Sequence, residues 1–307
     1  MKLSVTDSLY RKQLKSNIPL YVLLLPAIIL LLVFSYIPMV GLVIAFKDYS
    51  PATGIFGSPW VGLKHFSQFF SSYQFWPTIQ NTLKISLYSL AVGFPLPIVL
   101  AILCNQIRVE KFKKVFQVTT YLPHFISTMV MCGMIILFLS PNNGMIANVF
   151  KLVGFKMPAL LSTPKYFAGV YAWSDVWQHI GWDSIIYLAA LSAIDPTYYE
   201  AAMVDGASRF QRIRHIDLPM ILPTAMILLI LRAGSLLNIG FEKVFLLQNP
   251  LNLAGSEIIS TYVYKVRLIN FQYSYSTAIG LFNTVINVAI LLFVNWMSKR
   301  ITRTGLF

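Results

Sequence analysis

Four ionisable residues stand out because they interrupt long apolar stretches of this 307-residue chain. Asp175, His179 and Asp183 fall in one such stretch, and Arg232 falls in another. Residues four positions apart share one face of a helix, so the first three predict a polar stripe turned towards the interior of a helix bundle. Ionisable groups are costly inside a membrane and usually serve a function there. The sequence therefore marks these side chains as candidates for a functional site.

Asp183 and Arg232 are predicted to form an intramembrane ion pair. Counted along their own helices at about 1.5 Å per residue, both lie about 17 Å from the end at which the two helices are joined. Equal depth on consecutive antiparallel helices lets a carboxylate and a guanidinium meet. The alternative that the sequence leaves open is that each side chain faces water without the other.

Motifs for catalysis and metal binding are absent from the sequence. No glycine is followed by lysine, which excludes the phosphate loop of an ATPase, and neither H-E-x-x-H nor G-x-S-x-G occurs. The four histidines lack ligand spacing, and Cys104 and Cys132 are predicted to pack as small apolar groups. We therefore expect no enzyme, no metal site and no bound cofactor, and any energy source must come from another protein.

Composition places these residues in a membrane protein. Hydrophobic residues make up 57% of the chain and charged residues 11%, whereas a soluble domain carries about 25% charged residues. A helix needs about 20 apolar residues to cross a bilayer. The predicted fold is all-α with six transmembrane helices, at Ile18–Phe46, Ile85–Ile107, Val115–Leu139, Phe167–Ile194, Leu218–Phe241 and Ser276–Met297.

Basic residues predict the orientation of these helices. Fourteen lie in the tails and loops on the side of the two termini, and seven lie in the opposite loops. The positive-inside rule then puts both termini in the cytoplasm. This divides the chain into an N-terminal tail at 1–17, a transmembrane domain at 18–297 and a C-terminal tail at 298–307. The net charge of +13 is thus explained by topology, and no nucleic-acid partner is expected.

The sequence of the loop between the fourth and fifth predicted spans predicts its local structure. Asp195 can cap a helix that begins at the following proline, and Gly206 can end that helix in the left-handed conformation. Ser208 and Gln211 fit a capping box for a second short helix. Leu218-Pro219 is predicted to end the second helix and start the fifth span. The loop therefore presents a short helix across one face of the membrane.

Residues 195–219 also match a known pattern. The order E-A-A-x3-G-x9-I-x-L-P is met by Glu200, Ala201, Ala202, Gly206, Ile216, Leu218 and Pro219, and Asp205 and Ala207 complete a D-G-A extension. In these positions the loop resembles the EAA loop of ABC importer permeases. Residues 181–191, 240–250 and 260–282 resemble the LplB-type branch of the carbohydrate-uptake family. The alternative is an ordinary interfacial helix in an unrelated membrane protein.

The resemblance implies the transmembrane fold of a type I ABC importer and a mechanical role for the loop. Its short helix would sit in a cleft of a cytoplasmic ATPase dimer, where Glu200 would pair with a basic group. ATP and Mg would be used by that ATPase. A second, different permease subunit would complete the pore, and an extracytoplasmic binding protein would deliver an oligosaccharide, in some relatives one that contains uronic acids. The expected location is the bacterial cytoplasmic membrane, in contact with lipid.

A sugar pathway needs hydrogen-bonding side chains and aromatic faces. Intramembrane side chains of these types are Trp173, Trp177, Gln178, Asn238, Asn283 and Asn287. Interhelical hydrogen bonding and interfacial anchoring remain alternative roles for them. Two other functions also remain open, a secondary transporter and a sensor subunit that couples a binding protein to a cytoplasmic partner. The first usually shows inverted repeats, which are not evident here.

Overall fold

The computed structural model of the protein describes residues 17–302, with side chains described for residues 17–300. This part of the chain is mostly helical and contains no strand, apart from an isolated antiparallel bridge between Lys47 and Trp60. The predicted all-α class is confirmed for these residues. The basic residues predicted for the tails at 1–16 and 303–307 lie outside them.

Twelve helices within these residues are numbered in chain order. They are α1 (Ile18–Phe46), α2 (Lys64–Phe70), α3 (Phe75–Asn105), α4 (Glu110–Phe125), α5 (Thr128–Phe138), α6 (Met145–Leu152), α7 (Phe167–Ser192), α8 (Pro196–Val204), α9 (Arg209–Gly234), α10 (Phe241–Leu247), α11 (259–269) and α12 (Tyr273–Thr302).

Four of these helices, α1, α3, α9 and α12, are long and apolar enough to cross a membrane. The pair α4 and α5 makes a fifth candidate when the two helices are taken as one span. Helix α7 has 26 residues but carries the polar stripe, and it is less apolar than the other candidates. The structure thus contains four or five apolar spanning helices by length and composition.

The predicted third span, Val115–Leu139, is wrong as a single straight helix because the chain bends by 98° between α4 and α5. Helix α7 supplies the groups that hold the bend. The His124 ring stacks on Trp182 with 4.3 Å between the ring centroids, and the Gln178 amide donates to the Ile126 carbonyl at 2.8 Å. A freed backbone carbonyl in a membrane needs such a donor, so the bend depends on tertiary contacts.

Helix α9 differs from the predicted fifth span, Leu218–Phe241, at both ends. It begins at Arg209, so the predicted break at the leucine and proline is wrong. A wide turn of π-helix at Ile213–Asp217 leads into Pro219 and accommodates a residue that cannot donate a backbone hydrogen bond. The helix ends at Gly234, and an irregular turn follows before α10.

Helix α7 packs against α3, α4 and α9, and its polar stripe lies between two apolar clusters. One cluster surrounds Phe167 at the start of the helix, and the other surrounds Leu191 near its end. Gly181 allows α7 to approach α4 closely, because a Cβ atom there would overlap the Thr120 carbonyl. The stripe is therefore held inside the bundle at a fixed depth.

Helix α1 is placed differently from the other long helices. Along its whole length it buries only Ala45 against the rest of the described chain. So large an exposed apolar surface is unfavourable in water. Lipid or another membrane protein must cover it.

Candidate functional site

A polar cavity of about 190 Å³ lies between α3, α7 and α9. Helix α7 contributes Asp175, His179 and Asp183 to its wall, and α9 contributes Arg232. The predicted stripe therefore faces a partly open polar cavity between the helices, where its side chains remain 29–40% exposed. A cavity with this lining can hold water or a polar solute within an otherwise apolar molecule.

Arg232 connects two helices at the wall of this cavity. Its Nη2 donates a hydrogen bond to Asp183 Oδ2, and its Nη1 donates to the Gly93 carbonyl at 3.1 Å. Gly93 lies four residues before Pro97, which has no N–H to offer that carbonyl. The guanidinium therefore neutralises the carboxylate and also satisfies a backbone oxygen that the proline leaves free in α3.

Lys243 forms a second pair with Asp175, and sequence reasoning missed it. Its Nζ lies 3.2 Å from Asp175 Oδ1 and 5.0 Å from the centroid of the Tyr171 ring. The lysine is 4% exposed, and His179 Nδ1 lies 3.4 Å from the same carboxylate oxygen. A lysine in a short apolar segment was the available signal, but only the structure shows that α10 folds back against α7.

The charges at the cavity balance in pairs. Asp175 forms an ion pair with Lys243, and Asp183 forms an ion pair with Arg232. Charges removed from water persist only when they are paired and hydrogen-bonded. The cavity wall therefore offers a polar surface without stranded charge, to which His179 adds a group that titrates near neutral pH in its unperturbed form.

Sequence candidates for a sugar pathway lie in different surroundings. Trp173 and Trp177 line an apolar groove of about 590 Å³ between α5 and α7, apart from the polar cavity. The Trp173 indole donates to the Tyr88 hydroxyl at 3.0 Å. Asn238 lines the polar cavity, and no other member of the predicted set of six does so. The two tryptophans therefore lie apart from the charged residues that line the polar cavity.

The remaining amides form hydrogen bonds within the bundle, two of them to irregular backbone and one to another side chain. Asn287 Oδ1 accepts a hydrogen bond from the Leu237 N–H at 3.0 Å, in the turn after α9. Asn283 donates to Asn238 Oδ1 at 2.8 Å in the same region, and Gln178 holds the bend between α4 and α5. These contacts agree with the interhelical hydrogen-bonding role that the sequence left open.

Helix α8 is capped at both ends as the sequence predicts. Asp195 Oδ1 accepts hydrogen bonds from the Thr197 N–H at 2.9 Å and from its hydroxyl at 2.8 Å, and these bonds lower the pKa of the carboxyl. At the other end Gly206 has φ +75°, and the Ala207 N–H donates to the Ala202 carbonyl at 2.8 Å. This is the left-handed helix end that glycine favours.

The surface of α8 is open to another protein. The helix buries no residue, Glu200 and Ala201 are exposed, and Val204 is 88% exposed. The capping box between Ser208 and Gln211 is present and starts α9 directly after the loop. The remaining residues of the pattern, Asp205, Ile216, Leu218 and Pro219, lie in the turn after α8 and at the start of α9. An exposed helix with apolar and acidic side chains fits a protein partner.

Comparisons with known proteins cover nearly the whole chain. Residues 93–303 match the family described as binding-protein-dependent transport system inner membrane component. The chain is 40% identical to Protein LplB of Bacillus subtilis (strain 168), over 96% of this chain and 92% of that protein. It is 41% identical to the polygalacturonan/rhamnogalacturonan transport system permease protein YteP of the same organism, over 94% and 90%.

A solved structure is similar to the same extent. It is the crystal structure of a bacterial alginate ABC transporter in complex with alginate pentasaccharide-bound periplasmic protein. One of its chains is 43% identical to this chain, with a TM-score of 0.89, over 96% of this chain and 99% of that chain. The arrangement of helices described above is therefore shared along almost the full length of both chains.

Proposed function

This chain belongs to the family of binding-protein-dependent transport system inner membrane components, and we propose that it forms one half of a membrane pathway for oligosaccharides. It has the fold of a type I ABC importer permease and is a non-catalytic transmembrane subunit, because the ATPase of such importers is a separate partner. The observation that carries the proposal is the charge-balanced, partly open polar cavity between α3, α7 and α9, in a chain whose relatives are sugar permeases.

The proposed substrate is an oligosaccharide that contains uronic acids. One relative is named for the transport of polygalacturonan and rhamnogalacturonan. A transporter of known structure, one chain of which this chain resembles, is involved in the import of the acidic polysaccharide alginate. An oligosaccharide of uronic acids carries one carboxylate on each sugar residue, and cationic side chains form strong hydrogen bonds with carboxylates. Arg232 and His179 line the cavity and are the donors that would meet such a carboxylate there, Arg232 in exchange for part of its contact with Asp183.

The proposed pathway passes through the polar cavity, beside Asn238. Trp173 and Trp177 lie on the same helix as the polar stripe and would offer aromatic faces to a sugar once the helices move apart. Gln178, Asn283 and Asn287 would meet the substrate only if the turns that they hold also rearrange. They are therefore proposed as secondary candidates.

The proposed topology has six spans, formed by α1, α3, the bent pair α4 and α5, α7, α9 and α12. Both termini would lie in the cytoplasm, with α8 on the same side. The clusters of basic residues that support this orientation follow α3, start α9 and end α12, and they are Arg108, Lys111, Lys113, Lys114, Arg209, Arg212, Arg214, Lys299 and Arg300.

Labelling from one side of the membrane tests this orientation. Phe56→Cys, at a site that is 91% exposed, should react with a membrane-impermeant maleimide on intact cells. Val204→Cys on α8 should react only after the membrane is opened, in cells without the ATPase. The native thiols Cys104 and Cys132 are buried and give little background. The opposite pattern of labelling would contradict the orientation.

Three kinds of partner complete the proposed importer. A second permease subunit would cover the exposed face of α1, and an ATPase dimer would receive α8. An extracytoplasmic binding protein would bring the sugar, and the alginate transporter was crystallised in complex with a periplasmic protein that holds an alginate pentasaccharide. ATP and Mg would be bound by the ATPase.

Reconstitution tests the function as a whole. The chain, a second permease and the ATPase, placed in liposomes with the binding protein, should take up uronate oligosaccharides only with ATP. The chain without ATPase should show no ATP hydrolysis. An ATPase subunit inactivated at its catalytic site is the matched control. Uptake that persists with this subunit would indicate a secondary transporter, and binding-protein contact without any uptake would indicate a sensor.

A further inference from the structure

A buried carboxylate lies where α8 meets the helix bundle. Asp217, the last residue of the π turn in α9, is 0% exposed. Within the described residues no cation forms an ion pair with it. Instead it accepts hydrogen bonds from two neutral groups, the Tyr199 hydroxyl at 2.5 Å and the Gln106 side-chain amide at 3.3 Å.

These three residues come from three different elements. Tyr199 lies in the middle of α8, Gln106 directly follows the end of α3, and Asp217 belongs to α9. Helix α8 buries no residue of its own, and in the described chain its side chains make no other hydrogen bond to another helix. The Tyr199 hydroxyl is therefore the polar attachment of α8 to the ends of two long helices.

Stability alone does not explain a carboxylate at this position. A buried charge with neutral partners is costly, and an apolar group of similar size is often at least as stable there. Burial, and then the hydrogen bond to Asp217, raise the pKa of Tyr199, which keeps its hydroxyl protonated as the donor. The resulting hydrogen bond joins α8 directly to α9, so a displacement of α8 would act on Asp217.

The neighbouring backbone is suited to movement. Residues 213–217 form a π turn, a local widening of the helix that often marks functional positions. Beyond it, the ends of α3, α7 and α9 pack together through Ile102, Leu191 and Ile221. A shift of Asp217 would therefore reach the packed ends of helices that also line the polar cavity.

We infer that Tyr199, Asp217 and Gln106 form a link that passes the movement of α8 to the ends of α3 and α9, with Tyr199 as a positioning residue for coupling. The inference rests on the proposed function, because it requires that an ATPase moves α8. The three residues lie between the loop and the polar cavity, and the movement of α8 would reach the pathway through them.

The test uses the whole importer in lipid nanodiscs and compares two neighbouring tyrosines. Tyr199→Phe removes only the hydroxyl. Tyr198→Phe is the matched control, since Tyr198 is 52% exposed and the structure describes no hydrogen bond from its hydroxyl. ATP hydrolysis is measured without and with the binding protein, loaded with whichever of alginate or polygalacturonate oligosaccharides stimulates the wild-type complex more.

We expect Tyr199→Phe to lower the ratio of stimulated to basal hydrolysis about tenfold, the effect of losing one hydrogen bond to a charged group. ATPase association and basal hydrolysis should stay at the wild-type level, and Tyr198→Phe should behave as wild type. Asp217→Asn should lower the same ratio, and the double variant should be no worse than the worse single variant.

A wild-type ratio in Tyr199→Phe would overturn the inference. A fall of basal and stimulated hydrolysis by the same factor, with a lower thermal unfolding midpoint, would also overturn it, because a purely structural role predicts that result. Since Tyr199→Phe decides the matter alone, a folding defect in Asp217→Asn leaves the test valid. Glu200→Ala and Gly206→Val in the same assay separate the two proposals: if both keep full stimulation, the coupling role of the loop fails, and not only this link.

Discussion

Replacing Arg232 with leucine should destabilise the protein more than replacing both Arg232 and Asp183 with leucine. The single change leaves the Asp183 carboxylate at the cavity without its cation and removes the donor to the Gly93 carbonyl. Breaking a fully buried pair costs about 3–5 kcal/mol, and because both side chains here are partly exposed we expect about 2 kcal/mol. The measurement is the thermal unfolding midpoint of the purified permease pair, together with its yield.

Two further variants serve as controls. Arg214→Leu removes an exposed arginine from the same helix, for which the structure describes no ion pair, and should leave the midpoint unchanged. Arg232→Lys should fall between wild type and Arg232→Leu, because an ammonium keeps the charge but lacks the planar fork that reaches two oxygens. A double variant as unstable as Arg232→Leu would show that the carboxylate does not depend on the guanidinium.

The depth of Asp183 and Arg232 could be predicted from the sequence because each lies in a long helix whose residues can be counted from the loop that joins the two helices. The ion pair between Lys243 and Asp175 could not be predicted in this way. Lys243 lies on a short helix after an irregular turn, and no count along the chain shows that this helix folds back to Asp175. The contact joins residues 68 positions apart, and it depends on the packing of α10 against the bundle.

The bend between α4 and α5 escaped prediction for a related reason. The stretch around His124 is apolar enough to form one membrane helix, and a proline inside such a helix is no reliable sign of a break. The groups that stabilise the bend, Trp182 and Gln178, come from α7. Tertiary partners therefore decide the path of a backbone that local sequence leaves open.

Residue type also proved an incomplete guide to role. The amides of Asn283 and Asn287 are suited to a sugar, and the structure places them against the turn that follows α9. An amide binds a backbone group or a hydroxyl with the same atoms. Only the positions of the neighbours separate these uses, and a single sequence does not contain those positions.

The loop that contains α8 was the most predictable part because its signals are local. The cap at Asp195, the left-handed Gly206 and the capping box at Ser208 each depend on bonds between residues at most five positions apart. The error in this region was the expected break at Leu218-Pro219. There a π turn, which has no simple sequence signal, carries the helix through the proline.

Changing Gly206 to valine should abolish the association of the ATPase with the permease pair. The backbone at Gly206 has φ +75°, and the left-handed conformation costs an L-residue about 1–2 kcal/mol, more with a β-branched side chain. Within this chain a Cβ atom there would meet no atom within 4 Å, so the strain arises in the backbone and not from a clash with neighbouring residues. We expect the loop to change its path and α8 to lose the position from which it enters the ATPase.

The matched control is Gly206→Asn, since asparagine adopts the left-handed conformation more readily than other side chains. Gly206→Asn should retain most of the ATPase association that Gly206→Val removes, even though asparagine, like valine, adds a side chain at this position. If asparagine and valine were equally damaging, the size of the side chain at the interface would explain the defect, and backbone strain would not.

Glu200→Ala separates the charge of α8 from its shape. Alanine is the best helix former, and Glu200 is exposed, so the helix should persist while its acidic group is lost. We expect insertion and pairing with the second permease to remain normal and sugar-stimulated hydrolysis to fall, less severely than in Gly206→Val, because charge complementarity contributes more to specificity than to affinity. Pull-down of the ATPase and its stimulated activity measure both effects. Wild-type recruitment and wild-type transport in Glu200→Ala and Gly206→Val together would show that α8 is not where the ATPase acts on this chain.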